Sequence, residues 1–474
     1  MDKYQLINHS REIEIPENDP FHNCALDRKR YAKILTDVIM LYSQSGCVMS
    51  LNGEWGSGKT TFVKMWKQSL ENDHFKTFYF NAWESDYVED PIIAMLSEMQ
   101  DLKSDDERYK NLLSKGGKVV FSALSTSMKF FLKKYTGIDK EVIDDAMSDL
   151  SELGKECIDD YKQQKASITE LKKALIEYVA FYANERPVVF FIDELDRCNP
   201  TFAVHVLERI KHLFDIPNII FVLAVNKSQL QYAIEGYYGS SKMNSREYLR
   251  RFIDLEYTLP APSMEKYCNY LVSQHDFQRF FNNSNRTRRV NYSNELDYFL
   301  DIATTLFTNM HVSLREADKI FTYSRLVLCG VAETFKLPIE KFFLLIFWRV
   351  MDSSFYESIK NHTYTIQELL SQIEVKLPRV LLTSNEKNTS GKLTYIIASL
   401  LFYYNFNEGG IEIDKAFKGQ KVDDNRDMVF PIKPQIINQN ELYRYLTILE
   451  TNREPYRTLY PLFRYIDIVN QLNL

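Results

Sequence analysis

The chain has 474 residues, which is too long for one core of ordinary size and predicts two or three domains. Its 45% hydrophobic and 26% charged residues are typical of a globular protein. The formal net charge of −6 excludes a surface that is basic throughout, so nucleic acid would need a local basic face.

Cysteine usage and hydropathy predict a cytoplasmic protein with free thiols. The six cysteines form no C-x-x-C pair and have no histidine at zinc-binding spacing, which favours a reducing compartment. Residues 1–20 are polar and acidic, unlike a signal peptide. No apolar run reaches the length of about 18 residues that a membrane-spanning helix needs. We therefore expect no transmembrane segment.

Residues 19–43 contain a loop and then a helical pattern just before the first predicted strand. Elements in this position often pack over a nucleotide base. Leu26, Arg28 and Tyr31 are candidates to border an adenine. A capping helix without ligand contact is the alternative.

The segment Gly53–Thr60, with the sequence GEWGSGKT, matches the phosphate-binding pattern G-x-x-x-x-G-K-[ST] at every fixed position. The apolar run Val48–Leu51 precedes it as a strand, and Thr61–Trp66 follows it as the start of a helix. Glycines let backbone N–H groups surround phosphate oxygens at a helix N-terminus. We expect Lys59 to neutralise the β- and γ-phosphates and the Thr60 hydroxyl to bind Mg²⁺. The predicted nucleotide contacts are Gly53, Trp55, Gly56, Ser57, Gly58, Lys59, Thr60, Thr61 and Arg28.

A second predicted strand ends at Asn81 and Trp83, where ligands meet open α/β sheets; Trp83 covering the sheet edge is the alternative. Residues 91–187 then place apolar residues at helical spacing. We predict a helical insertion here, broken at Gly116-Gly117 and at Thr136-Gly137. Its segment Val119–Leu132 either packs against the rest of the insertion or lies on a membrane surface.

A continuous apolar strand, Val188–Ile192, ends in Asp193 and Glu194. Acidic residues at the end of such a buried strand form the second half of an ATPase site. We expect Asp193 to hold the metal, directly or through water. Glu194 is expected to polarise the attacking water as a general base.

A further buried strand, Ile219–Val225, ends at Asn226, which is placed to orient the water or to contact the γ-phosphate. The sequence from Asn226 to Gln229 resembles the guanine-specific N-K-x-D element, but Gln229 replaces its aspartate. Adenine is therefore favoured over guanine.

Three arginines are candidates to act on the γ-phosphate. Arg250 or Arg251, just before a fifth predicted strand, could be an arginine finger within the chain or across a subunit boundary. A surface salt bridge is the alternative for each. Arg315 lies in a helix that Ser313 is predicted to cap, as a lid residue or as a surface ion-pair partner. The segment Arg286-Thr287-Arg288-Arg289 falls in a loop that we predict to be solvated, with contact to phosphate backbones as the alternative.

The predicted organisation has a nucleotide-binding core in two parts, an insertion and two helical regions. Residues 1–90 and 188–260 form the core, 91–187 the helical insertion, 261–330 a helical lid and 331–474 a helical C-terminal domain. The last region shows no catalytic constellation and no internal repeat.

Several motifs, in the same order along the chain, resemble the KAP family of P-loop NTPases. They are Asp19-Pro20-Phe21, Leu26-Asp27-Arg28, Gly53–Thr60, Phe80-Asn81-Ala82-Trp83, Asp193-Glu194-Leu195-Asp196-Arg197 and Ser313-Leu314-Arg315. The likeness covers residues from about 15 to 330. It is specific because it rests on the set of motifs and not on the phosphate loop alone.

The resemblance implies an α/β P-loop ATPase of the additional-strand, catalytic-glutamate (ASCE) division, related to AAA+ and STAND proteins. The implied parallel sheet has an order like 5-1-4-3-2. Asn226 would fall at the sensor-1 position and Arg315 at the sensor-2 position of the lid. Glu194 stands where the family usually has aspartate. Many relatives carry membrane-spanning helices in the insertion, whereas this sequence shows none there.

Bacterial members that resemble this chain are often components of anti-phage or mobile-element defence systems and act with proteins encoded nearby. We therefore expect an ATPase that uses ATP and Mg²⁺ and that works with protein partners, including copies of itself. A nucleotide-gated scaffold with little turnover is the alternative. A small-molecule kinase and an ABC transporter are disfavoured, since neither an acceptor pocket nor an LSGGQ-like signature is found. The predicted catalytic residues are Lys59, Glu194, Asn226, Arg250, Arg251 and Arg315, and the predicted metal ligands are Thr60 and Asp193.

Overall fold

The computed structural model places the residues that it describes in two compact units, one up to Ala261 and the other from Pro262 onward. We call them the N-terminal unit and the C-terminal unit. The structure describes residues 13–88, 90–99, 107–121, 157–182, 186–211, 216–239, 243–283, 286, 295–332, 335, 337–383, 390–421, 428–452 and 458–470. Among these residues, no helix combines the length and apolarity required to cross a bilayer.

The N-terminal unit is built on a parallel sheet of five strands in the order β2-β3-β4-β1-β5. The strands are β1 (Cys47–Asn52), β2 (Thr77–Asn81), β3 (Val188–Asp193), β4 (Ile219–Val225) and β5 (Leu255–Thr258). Every residue of β3 and β4 is buried, because helices cover both faces of a parallel sheet. The expected order 5-1-4-3-2 is confirmed.

Helices flank both faces of this sheet. They are α1 (Lys29–Leu41), α2 (Lys59–Asn72), α3 (Pro91–Ser97), α4 (Glu107–Phe121), α5 (Cys157–Tyr182), α6 (Pro200–Lys211), α7 (Lys227–Tyr238) and α8 (Ser245–Leu249). Alternate strand residues face opposite sides. Phe191 packs with Trp66 of α2 on one face, whereas Phe190 packs with Leu171 of α5 on the other.

The register places the carboxyl ends of four strands at one edge of the sheet. Asn52 of β1 pairs with Val225 of β4, and Asp193 of β3 pairs with both Asn81 of β2 and Ala224 of β4. The loops that follow β1, β2, β3 and β4 therefore meet at this edge, where open α/β sheets bind ligands.

The described part of residues 91–187 is helical, and its helices pack on the sheet. Leu96 of α3 and Leu171 of α5 belong to the same buried cluster as Phe190. The predicted break at Gly116-Gly117 is wrong, since both residues lie inside α4. A Cβ on Gly116 would lie 2.2 Å from Leu96 Cδ1, so this glycine permits close helix packing. The part of Val119–Leu132 beyond α4 and the predicted break at Thr136-Gly137 lie outside the described residues.

The described residues of the C-terminal unit are mainly helical. The elements are α9 (Met264–Gln274), α10 (Gln278–Phe281), α11 (Glu295–Asn309), α12 (Leu314–Gly330), α13 (Ile339–Met351), α14 (Ser353–Lys360), α15 (Ile366–Lys376), α16 (Arg379–Thr383), α17 (Ser390–Tyr404), β6 (Gln420–Lys421), β7 (Met428–Val429), α18 (Gln439–Thr451) and α19 (Tyr460–Asn470). The rings of Phe299 on α11 and Phe343 on α13 lie 4.9 Å apart. One core runs through both stretches that we predict as lid and C-terminal domain, so they form one unit.

Arg286 is buried rather than solvated, so the predicted solvated loop is wrong at this residue. Only 1% of its surface is exposed. Its guanidinium donates two hydrogen bonds of 2.6 Å to the carboxylate of Glu295 and one of 2.8 Å to the carbonyl of Phe335. A bidentate carboxylate partner compensates the charge.

Candidate functional site

The loop between β1 and α2 carries the Gly53–Thr60 motif at the carboxyl edge of the sheet. Gly56 and Gly58 have φ angles of 73° and 80°, in a left-handed region that favours glycine. Gly58 is the N-cap of α2, and Lys59–Thr61 form the first turn. Unpaired N–H groups and the helix dipole favour an anion at this place.

The interior of the loop is lined by Gly53, Ser57 and Lys59. A Cβ on Gly53 would lie 2.9 Å from Ser57 Oγ and 3.3 Å from Lys59 Cγ, so only glycine leaves this space open. The buried Ser57 hydroxyl makes no hydrogen bond within the part of the chain that the structure describes. Lys59 Nζ donates to the carbonyls of Gly53 (2.6 Å) and Glu54 (3.1 Å). Burial lowers the pKa of Lys59, and Asp196 is the main opposing charge. An unpartnered hydroxyl and an ammonium group beside a glycine fit phosphate oxygens.

Arg28 is buried against the backbone of this loop. It is 3% exposed, and its guanidinium donates to the carbonyls of Ser57 (2.7 Å) and Gly58 (3.0 Å). Burial lowers its pKa to about 10, so it is charged at neutral pH. The hydrogen bonds of Arg28 are therefore with the phosphate loop, and its place at the border of an adenine stays a prediction.

Asp193 and Thr60, the two predicted metal ligands, lie next to each other. Asp193 is 1% exposed and accepts hydrogen bonds from the Thr60 hydroxyl, from Tyr79 Oη at 3.0 Å and from the Glu194 N–H at 2.9 Å. Burial raises the pKa of Asp193, and these three hydrogen bonds oppose the rise. The pair offers one hydroxyl and one carboxylate oxygen, which are the protein ligands that P-loop proteins give to Mg²⁺.

Clusters of three or more His, Cys, Asp or Glu side chains able to hold a metal are not found among the residues that have described positions. The Thr60–Asp193 pair nevertheless fits Mg²⁺. This ion usually keeps several waters and takes further ligands from substrate phosphates instead of an all-protein cage.

Glu194, the predicted general base, follows Asp193 with a left-handed φ of 61°. Its carboxylate forms a 2.8 Å ion pair with Arg197 and accepts a hydrogen bond from Asn81. Burial raises the pKa of Glu194, whereas the Arg197 charge is the main influence that lowers it. Arg197 also lies over the ring of Trp83, 5.4 Å from its centroid.

Two further side-chain contacts tie the phosphate loop to neighbouring strands. Asn226, the N-cap of α7, donates from Nδ2 to Glu54 Oε2 at 2.8 Å. Trp55 Nε1 donates to Asp196 Oδ2 at 2.5 Å. Asn226 therefore lies beside the loop, at the end of β4. Among the predicted site residues, the structure brings together Arg28, Gly53, Trp55, Gly56, Ser57, Gly58, Lys59, Thr60, Thr61, Asp193, Glu194 and Asn226.

The sequence predicted no role for Tyr79, Asp196 and Arg197. In the structure Tyr79 contacts Asp193, Asp196 contacts Trp55, and Arg197 contacts Glu194. Asp196 and Arg197 stand inside the motif that begins at Asp193, and this was the available signal. For Tyr79, the sequence indicated only that it lies in a predicted strand.

A sequence profile described as the KAP family P-loop domain matches residues 28–374, about three quarters of the chain. The chain belongs to the KAP family of P-loop NTPases. The profile and the observed strand order together confirm the predicted family and fold class.

The KAP chain is also similar to the phage T7 exclusion protein of Escherichia coli (strain K12). The two are 20% identical over 245 residues, which are 48% of this chain and 32% of that protein. The match therefore spans about a third of the relative's length.

The chain is also similar to solved structures of ORC and ORC2 proteins. The Drosophila ORC bound to DNA is 13% identical with a TM-score of 0.28, over 96% of this chain and 88% of that chain. The Aeropyrum pernix ORC2 protein in its ADP form is 12% identical with a TM-score of 0.34, over 100% and 89%. The structure of its ADPNP–ADP complexes is 12% identical with a TM-score of 0.33, over 94% of each chain.

Arg250 and Arg251 of this KAP chain lie away from its own phosphate loop. Arg250 and Arg251 precede β5, whose first residue, Leu255, pairs with Met49 near the start of β1. The phosphate loop follows the other end of β1, so the two arginines lie at the opposite edge of the sheet. Arg250 forms an exposed ion pair of 3.2 Å with Glu247.

Arg315 belongs to the C-terminal unit, in the first turn of α12. The predicted cap of this helix is confirmed. The side chain of Ser313 accepts from the Glu316 N–H at 3.2 Å, and Glu316 accepts from the Ser313 N–H at 2.9 Å. This capping box fixes the start of the helix that carries Arg315.

Proposed function

We propose that this chain is a Mg²⁺-dependent ATPase whose nucleotide state controls its assembly or its protein partners. The observation that supports this most is the meeting of Lys59, Thr60, Asp193 and Glu194 at one edge of the sheet. These side chains come from segments more than 120 residues apart. Together they provide a cation for phosphate, two metal ligands and a base.

In the proposed reaction, the loop N–H groups and Lys59 bind the phosphates, while Thr60 and Asp193 hold Mg²⁺. The bound ion would neutralise charge on the β- and γ-phosphates. Glu194 accepts a proton from the attacking water. Asn226, beside the loop at the end of β4, orients that water or contacts the γ-phosphate. ATP is proposed over GTP because Gln229 stands where a guanine-specific site needs aspartate.

We also propose that Arg250 or Arg251 acts as an arginine finger in a second copy of the chain. Both lie at the edge of the sheet opposite their own phosphate loop, so they would reach a site only across a subunit boundary. Arg315 is proposed as a lid residue that responds to the γ-phosphate, from its place in the family motif.

The proposed setting is bacterial defence against phage or mobile elements, together with proteins encoded nearby. The name of the similar Escherichia coli protein supports this setting, although the match covers only 32% of it. The described cysteines, Cys24, Cys47, Cys198, Cys268 and Cys329, are free thiols, which agrees with the cytoplasm as the proposed location.

A second candidate function is an ATP-gated scaffold with little turnover. The ion pair between Glu194 and Arg197 favours it, because a base engaged at 2.8 Å has to change partner before it activates water. In this case nucleotide binding would change the oligomeric state without a matching release of phosphate.

One experiment separates the two functions. Phosphate release from ATP is followed with Mg²⁺ and the purified chain, while the oligomeric state is measured with and without ATP. Lys59→Ala is the control, since it removes the phosphate-binding amine. An ATPase releases phosphate over many turnovers and the control does not. Release no faster than that of Lys59→Ala, with an ATP-dependent change in mass, establishes the scaffold. If ATP changes neither quantity, both proposals are wrong.

A further inference from the structure

Arg28 is a buried cation that donates hydrogen bonds to two backbone carbonyls. It is 3% exposed and donates to the oxygens of Ser57 and Gly58 at 2.7 Å and 3.0 Å. No carboxylate within the described residues pairs with it. Besides burial, the influences on its pKa come from Cys24, Tyr31 and Tyr257, and none of these is an aspartate or a glutamate.

A buried arginine normally has a carboxylate partner, because an uncompensated charge is costly inside a protein. Arg286 in the C-terminal unit shows the usual solution, with two 2.6 Å hydrogen bonds to Glu295. Arg28 differs from Arg286, because its hydrogen bonds go to carbonyls and not to a carboxylate. Its positive charge lies directly behind a loop built to receive an anion, so the compensating charge is expected from the ligand.

The two carbonyls belong to peptide groups whose N–H groups are expected to bind phosphate oxygens. The carbonyl of Ser57 shares its peptide group with the N–H of Gly58, and the carbonyl of Gly58 shares its group with the N–H of Lys59. A peptide group whose oxygen accepts a hydrogen bond is polarised, and its N–H becomes a stronger donor. N–H groups at this position of a phosphate loop are the ones that bind phosphate oxygens.

We propose that Arg28 is a positioning residue for the phosphates of the nucleotide. It polarises and orients the peptide groups of Ser57 and Gly58 and adds a second buried positive charge to that of Lys59. This inference rests on the proposed nucleotide binding. It replaces the border to adenine that the sequence predicts for Arg28.

A purely structural role for Arg28 predicts a different result. If the guanidinium only supported the loop, its removal would lower the stability of the ligand-free chain. In our proposal the ligand-free chain carries an uncompensated charge, so its removal leaves the melting temperature unchanged or raises it. A contact between Arg28 and the adenine or guanine base also predicts a different result, because only ligands that contain a nucleoside would then bind more weakly to the variant.

The test uses the full chain and the variants Arg28→Met, Arg28→Lys, Arg30→Met and Lys59→Met. Arg30 is an exposed neighbour that contacts Tyr31, so Arg30→Met is the matched control. Calorimetric titrations with ATP, GTP and inorganic triphosphate, each with Mg²⁺, give the affinities. Thermal unfolding without ligand gives the stability.

We expect Arg28→Met to weaken binding of all three ligands by roughly tenfold or more, about 1.4 kcal/mol, relative to the parent. Arg30→Met should bind like the parent. The ligand-free melting temperature of Arg28→Met should not fall. Arg28→Lys keeps the charge with a single ammonium group, so its affinities should lie between those of the parent and Arg28→Met.

Four results would overturn this proposal. One is unchanged triphosphate binding in Arg28→Met, and another is a loss confined to ATP and GTP, which indicates a role at the base. A third is a ligand-free melting temperature lower by about 5 °C or more, which indicates structural support. The fourth is Arg28→Lys binding as weakly as Arg28→Met, which removes the role of the charge.

If the parent binds no triphosphate, the proposed function fails as well. If the parent binds, Lys59→Met does not and Arg28→Met binds like the parent, only this proposal fails.

Discussion

The carboxylate of Glu194 lies 2.8 Å from the guanidinium of Arg197, and that guanidinium lies over the ring of Trp83. The ion pair joins the candidate base at the end of β3 to a tryptophan that follows β2 and is half exposed. Because the side chain of Glu194 is only 13% exposed, this pair strongly determines where its carboxylate points. A ligand or partner that moves Trp83 would therefore move Arg197 and change the position of the Glu194 carboxylate.

Glu194→Gln should retain ATP binding and lose turnover. Glutamine has almost the same size and can still accept a hydrogen bond from Arg197, but it cannot accept the proton of the attacking water. Loss of a general base costs roughly 100- to 10,000-fold. Phosphate release and calorimetric ATP titration measure the two properties. Glu170→Gln, which alters an exposed carboxylate paired with Lys115, is the control. Hydrolysis by the Glu194 variant at the parent rate would contradict the base assignment.

Arg250→Ala and Arg251→Ala should reveal an arginine finger that acts between copies. The variant lacking the finger should lose roughly 1,000-fold or more in turnover, because its own site is intact but its neighbour supplies no arginine. Mixing it with Glu194→Gln should restore activity, since Glu194→Gln subunits provide the arginine. Phosphate release across a series of mixing ratios is the measurement. Activity that only falls as the inactive partner is added would contradict action between copies.

Local patterns in the sequence were sufficient to predict the sheet and the residues that meet at its edge. The loop from Gly53 to Thr60 and the apolar strand that ends at Asp193 each carry their signal within a few residues. Contacts between distant segments were not predictable in this way. The partner of Trp55 is 141 residues away, and Arg28 reaches carbonyls about 30 residues ahead. A pattern of residue types shows what a side chain can bind, but only the packed chain shows which partner it meets.

Trp55→Phe should destabilise the chain and weaken ATP binding. The substitution removes the indole N–H that donates to Asp196, a carboxylate that is only 8% exposed. A buried acceptor that loses its donor costs roughly 1–3 kcal/mol. Chemical unfolding monitored by circular dichroism and ATP titration are the measurements. Trp83→Phe keeps an aromatic ring beneath Arg197 and serves as the control. Equal stabilities for parent, Trp55→Phe and Trp83→Phe would show that the 2.5 Å contact contributes nothing.

Two glycines inside helices should respond to alanine in opposite directions. At Gly116 in α4 the new Cβ would lie 2.2 Å from Leu96 Cδ1, and Leu96 is itself buried, so we expect overpacking to cost roughly 1–3 kcal/mol. At Gly236 in α7 no atom lies within 4 Å of the new Cβ, so alanine should stabilise the helix by roughly 0.5–1 kcal/mol. Urea unfolding of the two variants measures both. A Gly116→Ala chain as stable as Gly236→Ala would contradict the close packing of α3 against α4.

Arg286→Met should be among the most destabilising single substitutions in the C-terminal unit. Arg286 is 1% exposed, Glu295 is 8% exposed, and two hydrogen bonds of 2.6 Å join them. Methionine can fill much of the space beside Phe280, over which the guanidinium now lies at 4.5 Å, but it leaves the carboxylate of Glu295 buried without its partner. Breaking one side of a buried pair costs roughly 3–5 kcal/mol.

The double variant Arg286→Met with Glu295→Leu separates loss of charge from loss of packing. Replacing both members of a buried pair by apolar side chains is often neutral or stabilising, so the double variant should recover most of the stability that Arg286→Met loses. Chemical unfolding of the parent, both single variants and the double variant gives the coupling between the two residues. If the double variant is as unstable as Arg286→Met, the loss comes from the packing and from the bond to the Phe335 carbonyl. The buried carboxylate would then not be its cause.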